Sequence, residues 1–241
     1  FSRPFGCWQP SQVSLDKTMK NEFLLADIET AADLQAFLTR AKRLDPNGLV
    51  RLRAYGDVLA AYVAPIFAGS IMENGPTVLG LRTCALAAPA EVESLVDIQS
   101  VLDRLARVID ADVWNAKGST IQLPENQRAP WAGITPPRSG WIELGEISEQ
   151  ELTQIAKDGI SEVADTLPES VGGPIAARIR GEIWGRAIEQ NPRVPTGAAF
   201  VAAGLGFLTE NENVAVYEAE NWVRLSSMHG HVIARAATSF A

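Results

Sequence analysis

Apolar residues recur along this chain with two different periods, and the switches between them mark out its elements. Leu34, Phe37, Leu38, Ala41 and Leu44 fall at helical spacing, so one stripe of a first helix is buried. Thr30-Ala31-Ala32-Asp33 ahead of it has the form of a capping box, and Asp45-Pro46-Asn47-Gly48 ends it. The period then falls to two. Val50, Leu52 and Ala54 alternate with Arg51 and Arg53, and the alternation resumes over 58–64. Two strands, 49–54 and 58–64, joined at Tyr55-Gly56-Asp57, make a half-buried hairpin on this reading. A further strand is predicted over 77–87. Asp97 caps a second helix carrying Ile98, Val101, Leu102, Leu105, Val108 and Ile109 inward.

Periodicity is lost between Asp110 and Gly140, where Pro124, Pro130, Pro136 and Pro137 punctuate the chain. It returns with a short strand at 141–144. A capping box comes next at Ser148-Glu149-Gln150-Glu151, opening a helix with Leu152, Ile155, Ala156 and Ile160 inward. Gly173-Pro174 starts another helix, since proline is tolerated in the first turn. A helix of small residues spans 195–208, and three strands are expected at 213–219, 222–226 and 231–236. The first helix and hairpin (32–63) echo the last (196–225), with Phe37 matching Phe200, Val50 matching Val214 and Val58 matching Trp222. The fold class is α+β, with helix-plus-antiparallel-hairpin units at both ends flanking a more helical middle. Residues 1–18 read as a tag, an upstream extension or an arm; 19–110 as an N-terminal unit; 111–140 as a proline-rich linker; 141–241 as a C-terminal unit.

Composition narrows the functional classes without choosing one. The 241 residues are 46% hydrophobic and 21% charged, which is globular, and no apolar run approaches the ~20 residues of a membrane helix. Two cysteines, Cys7 and Cys84, make no disulfide framework or metal-ligand spacing, and there is no glycosylation sequon. A reducing cytoplasm is the expected location. The net charge of −8 disfavours nucleic acid as the main partner, although the uneven distribution leaves it open. Arg40, Lys42, Arg43, Arg51 and Arg53 cluster early, whereas eight acidic residues between Glu143 and Glu169 face Lys157 alone.

No catalytic motif emerges. The two histidines, His229 and His231, would share a face of an extended strand, with Glu218 or Glu220 able to supply a third metal ligand. The alternative is a turn with exposed imidazoles. Gly204-Leu205-Gly206 lacks the third glycine and the preceding strand of a dinucleotide loop, and reads better as close helix packing or a helix C-cap. The 195–208 helix offers no Arg, Lys, Asn or Gln to a base edge, so it is a packing element. The most individual stretch is WAGITPPRSGW, residues 131–141. Trp131 and Trp141 would either present an aromatic surface to a partner, with Arg138 engaging an anion, or anchor a linker onto the core.

That stretch, with VRLRAYGDVLAAYV (50–63) and NWVRLSSMHGHV (221–232), resembles a family of actinobacterial proteins of unknown function over Lys20 to the C-terminus. The resemblance implies no activity, substrate or site residue. RVPTGAAFVAAGLGF and then NVAVYEAENWVRLSSMHGHVIA (193–207 and 213–234) are also similar to one helix-plus-strands unit of a DNA sliding clamp. This implies a clamp-like fold. The chain departs from that pattern because the 195–208 helix carries no Lys or Arg, leaving only Arg40, Lys42, Arg43, Arg104 and Arg107 to face DNA.

Two functions stand as expectations. One is a non-enzymatic interaction or assembly module, with a protein partner or self-association, no cofactor and no membrane, and with Trp131, Arg138, Trp141, Arg40 and Arg43 as contact residues. The other is an enzyme or metal-binding protein with a polar cluster of His229, His231, Glu218 and Arg224.

Overall fold

A computed structural model describes residues 19–67, 75–110, 119–167 and 172–236; the N-terminal 1–18 segment lies outside them. The chain opens with two short strands, β1 (Met19–Lys20) and β2 (Glu22–Phe23). Helix α1 (Ile28–Leu44) begins earlier than the Thr30 box places it. Its N-cap is Asp27, whose carboxylate accepts a hydrogen bond from the Thr30 amide at 2.7 Å. Hydrogen bonds from the Thr30 side chain and then from its amide hold the Asp27 carboxyl below its ordinary value.

The hairpin expected over 49–64 is a single strand. β3 (Leu49–Ile66) runs through Tyr55-Gly56-Asp57, with a register shift between Gly56 and Val58. Gly56 takes φ +86, as the residue of a glycine-type bulge does. At this shift Asp57 alone stands against residues 86–89 of β4, and the inward positions of β3 pass from 50, 52 and 54 to 59, 61 and 63, keeping both runs on the same face. The hairpin partner is β4 (Thr77–Asp97), paired antiparallel with β3 from Val78 to Asp97. The internal echo therefore holds for helix and first strand and ends at Gly56, since Val58 stays on the strand that carries Val50.

Helix α2 (Ile98–Ile109) is capped by Asp97, which accepts from the Ser100 amide at 2.8 Å. The aperiodic stretch contributes β5 (Ile121–Gln122), paired with β2, and a single 3₁₀ turn at Pro130–Gly133. Then come β6 (Ile142–Ser148), α3 (Glu149–Thr166) capped by Ser148, α4 (Gly173–Trp184), β7 (Ala187–Ile188) and β8 (Asn191–Pro195). α5 (Thr196–Gly204) leads into β9 (Asn213–Ala219), β10 (Trp222–Ser227) and β11 (Gly230–Arg235). Helix α5 ends in a Schellman motif. Gly206, at φ +70, donates to the Ala203 carbonyl at 3.0 Å and Phe207 donates to that of Ala202 at 2.9 Å.

One seven-stranded sheet crosses both halves of the chain. β4 bonds to β3 along one edge; its other edge bonds antiparallel to β11 at residues 77–81 and parallel to β1 at 90–91. Beyond β11 lie β10, β9 and β6. The long strands at the ends of the sheet are therefore β3 and β6, and the two-residue β1 is also paired on one edge only.

Residues directly opposite each other in antiparallel strands share a face, and the register sorts the core into two layers. The helices cover Val50, Leu52, Leu59, Val63, Val78, Val216, Leu225 and Val232. Small residues let α5 sit close to its neighbours. A Cβ on Gly204 would meet Leu44, one on Gly197 would meet Ile66 and Trp184, and one on Gly159 of α3 would meet the Trp184 ring. Trp184 also stacks on Phe200 at 4.5 Å between centroids. The other face of the sheet, with Leu79, Leu81, Leu95, Trp222 and Ile233, is covered by the 119–141 segment through Trp131. That segment is pinned by Gln127, which donates to the Leu95 carbonyl at 2.7 Å, and by Asn126, which accepts from the Leu95 amide at 3.0 Å.

Gly80 on β4 makes room for Leu205, because an added Cβ would fall 2.1 Å from its Cδ1. Gly80→Ala is expected to cost about 1–3 kcal/mol through overpacking. Urea denaturation monitored by circular dichroism measures it, with the m-value unchanged.

Candidate functional site

Strand register decides which of the predicted residues meet. On the face away from the helices, Arg224 of β10 stands opposite Tyr217 of β9 and Ile233 of β11, while Ser226 stands opposite His231. Trp141 enters this face just ahead of β6. Its indole Nε1 donates to the Pro137 carbonyl at 3.1 Å, closing the di-proline loop. The Arg224 guanidinium is held between two rings, 4.6 Å from the centroids of both Trp141 and Tyr217. Such stacking is worth on the order of 1 kcal/mol per ring and fixes the guanidinium plane. Burial lowers the Arg224 pKa from its ordinary value, with Tyr217 opposing.

His231 lies on the same face, its Nδ1 3.0 Å from the Ser226 hydroxyl. Its pKa is lowered, first by burial and then by Arg224 and Arg82. His229 goes elsewhere. It sits in the β10–β11 turn and lines a shallow polar cavity of about 270 Å³ with Arg40, Arg82, Asp33 and Gly206. Glu218 lies opposite Val223, on the helix-covered face, and forms an ion pair with Arg193. The four residues of the polar cluster are thus divided between the two faces and the turn. Among the described residues, no group of three or more His, Cys, Asp or Glu side chains could hold a metal ion.

The tryptophans of the 131–141 stretch differ in depth. Trp131 is 4% exposed and belongs to the core beneath its segment, whereas Trp141 is half-buried. Arg138 is exposed. With Arg53 and Arg51 it opposes the burial that raises the Tyr62 phenol above its ordinary 10.0. Arg51 and Arg53 both bind Glu93, and Arg51 donates to the Thr135 hydroxyl at 3.3 Å. Arg40 packs against Gly206 at the C-terminus of α5, where a cation is favoured, and Arg43 is exposed on α1. Burial pushes the Cys84 thiol up to about 12, so it is a core residue without thiolate chemistry at neutral pH.

Two features escaped the sequence reading. One is a groove of about 650 Å³ where α3 and α4 approach the end of β3, walled by Leu44, Ile66, Phe67, Ile160, Val163 and Phe200 and rimmed by Arg178 and Arg180. The other is the pair of sheet ends. β3 exposes Tyr55 and Val58, 87% and 53% accessible, and β6 exposes Ile142 and Leu144, 65% and 39% accessible. Glu143 and Glu146 of β6 are exposed and take part in no ion pair among the described residues. No helix among the described residues is long and apolar enough to cross a membrane.

Comparison with known proteins divides the chain in two. Residues 18–124 match a domain of unknown function (DUF8010), and residues 136–239 match another (DUF8185). No curated protein matches the sequence. Similar folds occur among solved DNA polymerase III beta subunits and sliding clamps. A protein assigned as the beta subunit in Eubacterium rectale is 12% identical, with a TM-score of 0.49, over 91% of this chain and 66% of that one. The sliding clamp of Caulobacter crescentus is 11% identical, with a TM-score of 0.46, over 93% and 67%. That of Pseudomonas aeruginosa is 13% identical, with a TM-score of 0.44, over 91% and 65%. The chain spans about two thirds of the length of these proteins. The resemblances read from the sequence thus recur as two domains of unknown function and a faint likeness to sliding clamps.

The His231 environment generates a pH dependence. Its folded-state pKa lies below the ordinary 6.5, so the unfolded chain takes up the proton first as pH falls. The associated stability is fully present above the unfolded value and is lost as pH falls through the folded one. The stability difference between wild type and His231→Gln is expected to be constant above about pH 7.5 and to change as acid is added. Thermal melts across pH 5 to 8, roughly the histidine range, check this.

Proposed function

We propose that this protein is a non-enzymatic interaction or assembly module that self-associates through the free ends of its sheet. The observation that carries the reading is that both sheet faces are covered while both terminal strands are open. β3 is 18 residues long and β6 is 7, and among the described residues each pairs on one edge only. An unpaired strand edge presents a row of amides and carbonyls to any strand that reaches it. Here each edge also carries exposed apolar side chains. Unlike edges that pair head to tail generate a ring when the rotation closes, and a filament when it does not.

A second protein partner is supported by the groove beside α4. Its apolar wall and arginine rim suit an apolar segment that carries an acidic residue.

Light scattering during gel filtration tests the self-association. The chain mass is 26.0 kDa, and a discrete multiple of it is expected. Leu144→Lys on β6 should return the protein to the monomer without lowering its melting temperature, because Leu144 is exposed. A wild-type monomer at concentrations of about 100 μM, weaker than the affinity of ordinary specific interfaces, would contradict the reading.

A further inference from the structure

Four stretches of the chain close a ring around the cavity that His229 lines, and the charges around it do not balance. Helix α1 supplies Asp33 and Arg40, about two turns apart. Arg82 of β4 donates from Nε to the Asp33 carboxylate at 2.8 Å and closes one side. Gly230, next to His229, closes another. A Cβ on it would fall 3.0 Å from the Leu81 carbonyl and 2.6 Å from the Phe207 ring, so the turn abuts both β4 and the residue that follows the α5 cap. Phe207 stacks on Phe37 of α1 at 5.8 Å between centroids, and these two buried rings form the floor. Arg40 completes the ring by lying on Gly206, where a Cβ would fall 2.7 Å from its Cζ. The space enclosed is about 270 Å³. That is just below the roughly 300–1,000 Å³ of pockets for drug-sized ligands, and it suits a small group.

Arg40 and Arg82 against Asp33 leave one positive charge on the lining. Arg82 is matched by Asp33, but no ion pair joins Arg40 to a carboxylate among the described residues. The end of α5 beside it carries only about half an elementary negative charge. Glu212, which braces the same turn, accepts from the Thr209 and Met228 amides at 3.3 and 2.8 Å and does not line the cavity. Arg40 and His229 are both exposed, so the cavity is reachable from solvent.

We propose that this cavity binds a carboxylate group, held by the Arg40 guanidinium with Arg82 and His229 beside it. A guanidinium offers a planar pair of donors that matches the two oxygens of a carboxylate. A singly charged group completes the charge balance, whereas a doubly charged phosphate would set its second charge against Asp33. A small organic acid and the C-terminus of a peptide share this chemistry.

Ring NMR of the full chain, labelled at histidine, tests the proposal with acetate as the probe. The chain has two histidines, and His229→Gln assigns their signals. The His229 ring is expected to shift saturably at acetate concentrations on the order of 1 mM, while His231, on the far face of the sheet, stays still. Arg40→Gln should weaken binding by about tenfold or more, and Arg40→Lys, which keeps the charge without the planar fork, by less. Arg178→Gln on α4 should change nothing. Trialanine that binds about tenfold more tightly than acetate, with its C-terminal amide silent, would support a chain terminus as the source; equal binding of trialanine and acetate would support a small acid. A His229 signal that stays still with both, or that moves equally with chloride at matched ionic strength, would overturn the proposal. Saturation by inorganic phosphate at lower concentration than by acetate would overturn the carboxylate assignment.

Discussion

Strand β4 hydrogen-bonds on both edges at once, and the rest of the molecule depends on it. Its 21 residues hold β3 along one side, and on the other they hold the last strand of the chain and the first. The two halves of the sequence, each similar to its own domain of unknown function, thus share a sheet. Where β4 is bonded on both edges, at 77–81 and 90–91, it has no donors left for a partner. Open backbone is pushed outward to β3 and β6, where the sheet stops.

The same strand sets the depth of the helical layer. Gly80 admits Leu205, which lets α5 lie in the middle of the helices. Gly159, Gly197 and Gly204 then bring α3, Trp184 and Leu44 up to it. The GAAFVAAG sequence is explained by this crowding. So is its lack of Lys and Arg, since a helix buried on most sides has little surface on which to carry charge.

Much of this was legible because it is local. Ser148 and Asp97 cap the helices that their positions announced, and β9, β10 and β11 fall within a residue of the strands that alternation marks. The Gly204-Leu205-Gly206 run is the helix C-cap that its lone glycine pair allowed. Where local pattern has two solutions, the sequence left the choice open. A slip of phase at Gly56 fits a turn or a bulge equally well, and only the partner strand selects the bulge. β4 continues beyond Ala87 through Pro89, although β3 leaves 86–89 unpaired, because the segment at Leu24 and Leu25 bonds to Leu86 and Ala87 and β3 resumes pairing at Ala90. The candidate site is the least local feature. Trp141 meets Arg224 through strand order, and Glu218 is divided from His231 by the odd or even position each occupies on its strand. The 119–141 segment has no period because its conformation is imposed by the sheet it covers, not by its own repeat.

A molecule with both sheet faces covered and both ends open has its contacts decided at β3 and β6. Hydrogen–deuterium exchange, resolved residue by residue at low and high protein concentration, tests that most directly. Amides of β3 and β6 are expected to gain protection as concentration rises, while β4, β10 and β11, already bonded on both sides, do not change. Equal protection of β3 and β6 at every concentration would contradict an assembly made through the sheet ends.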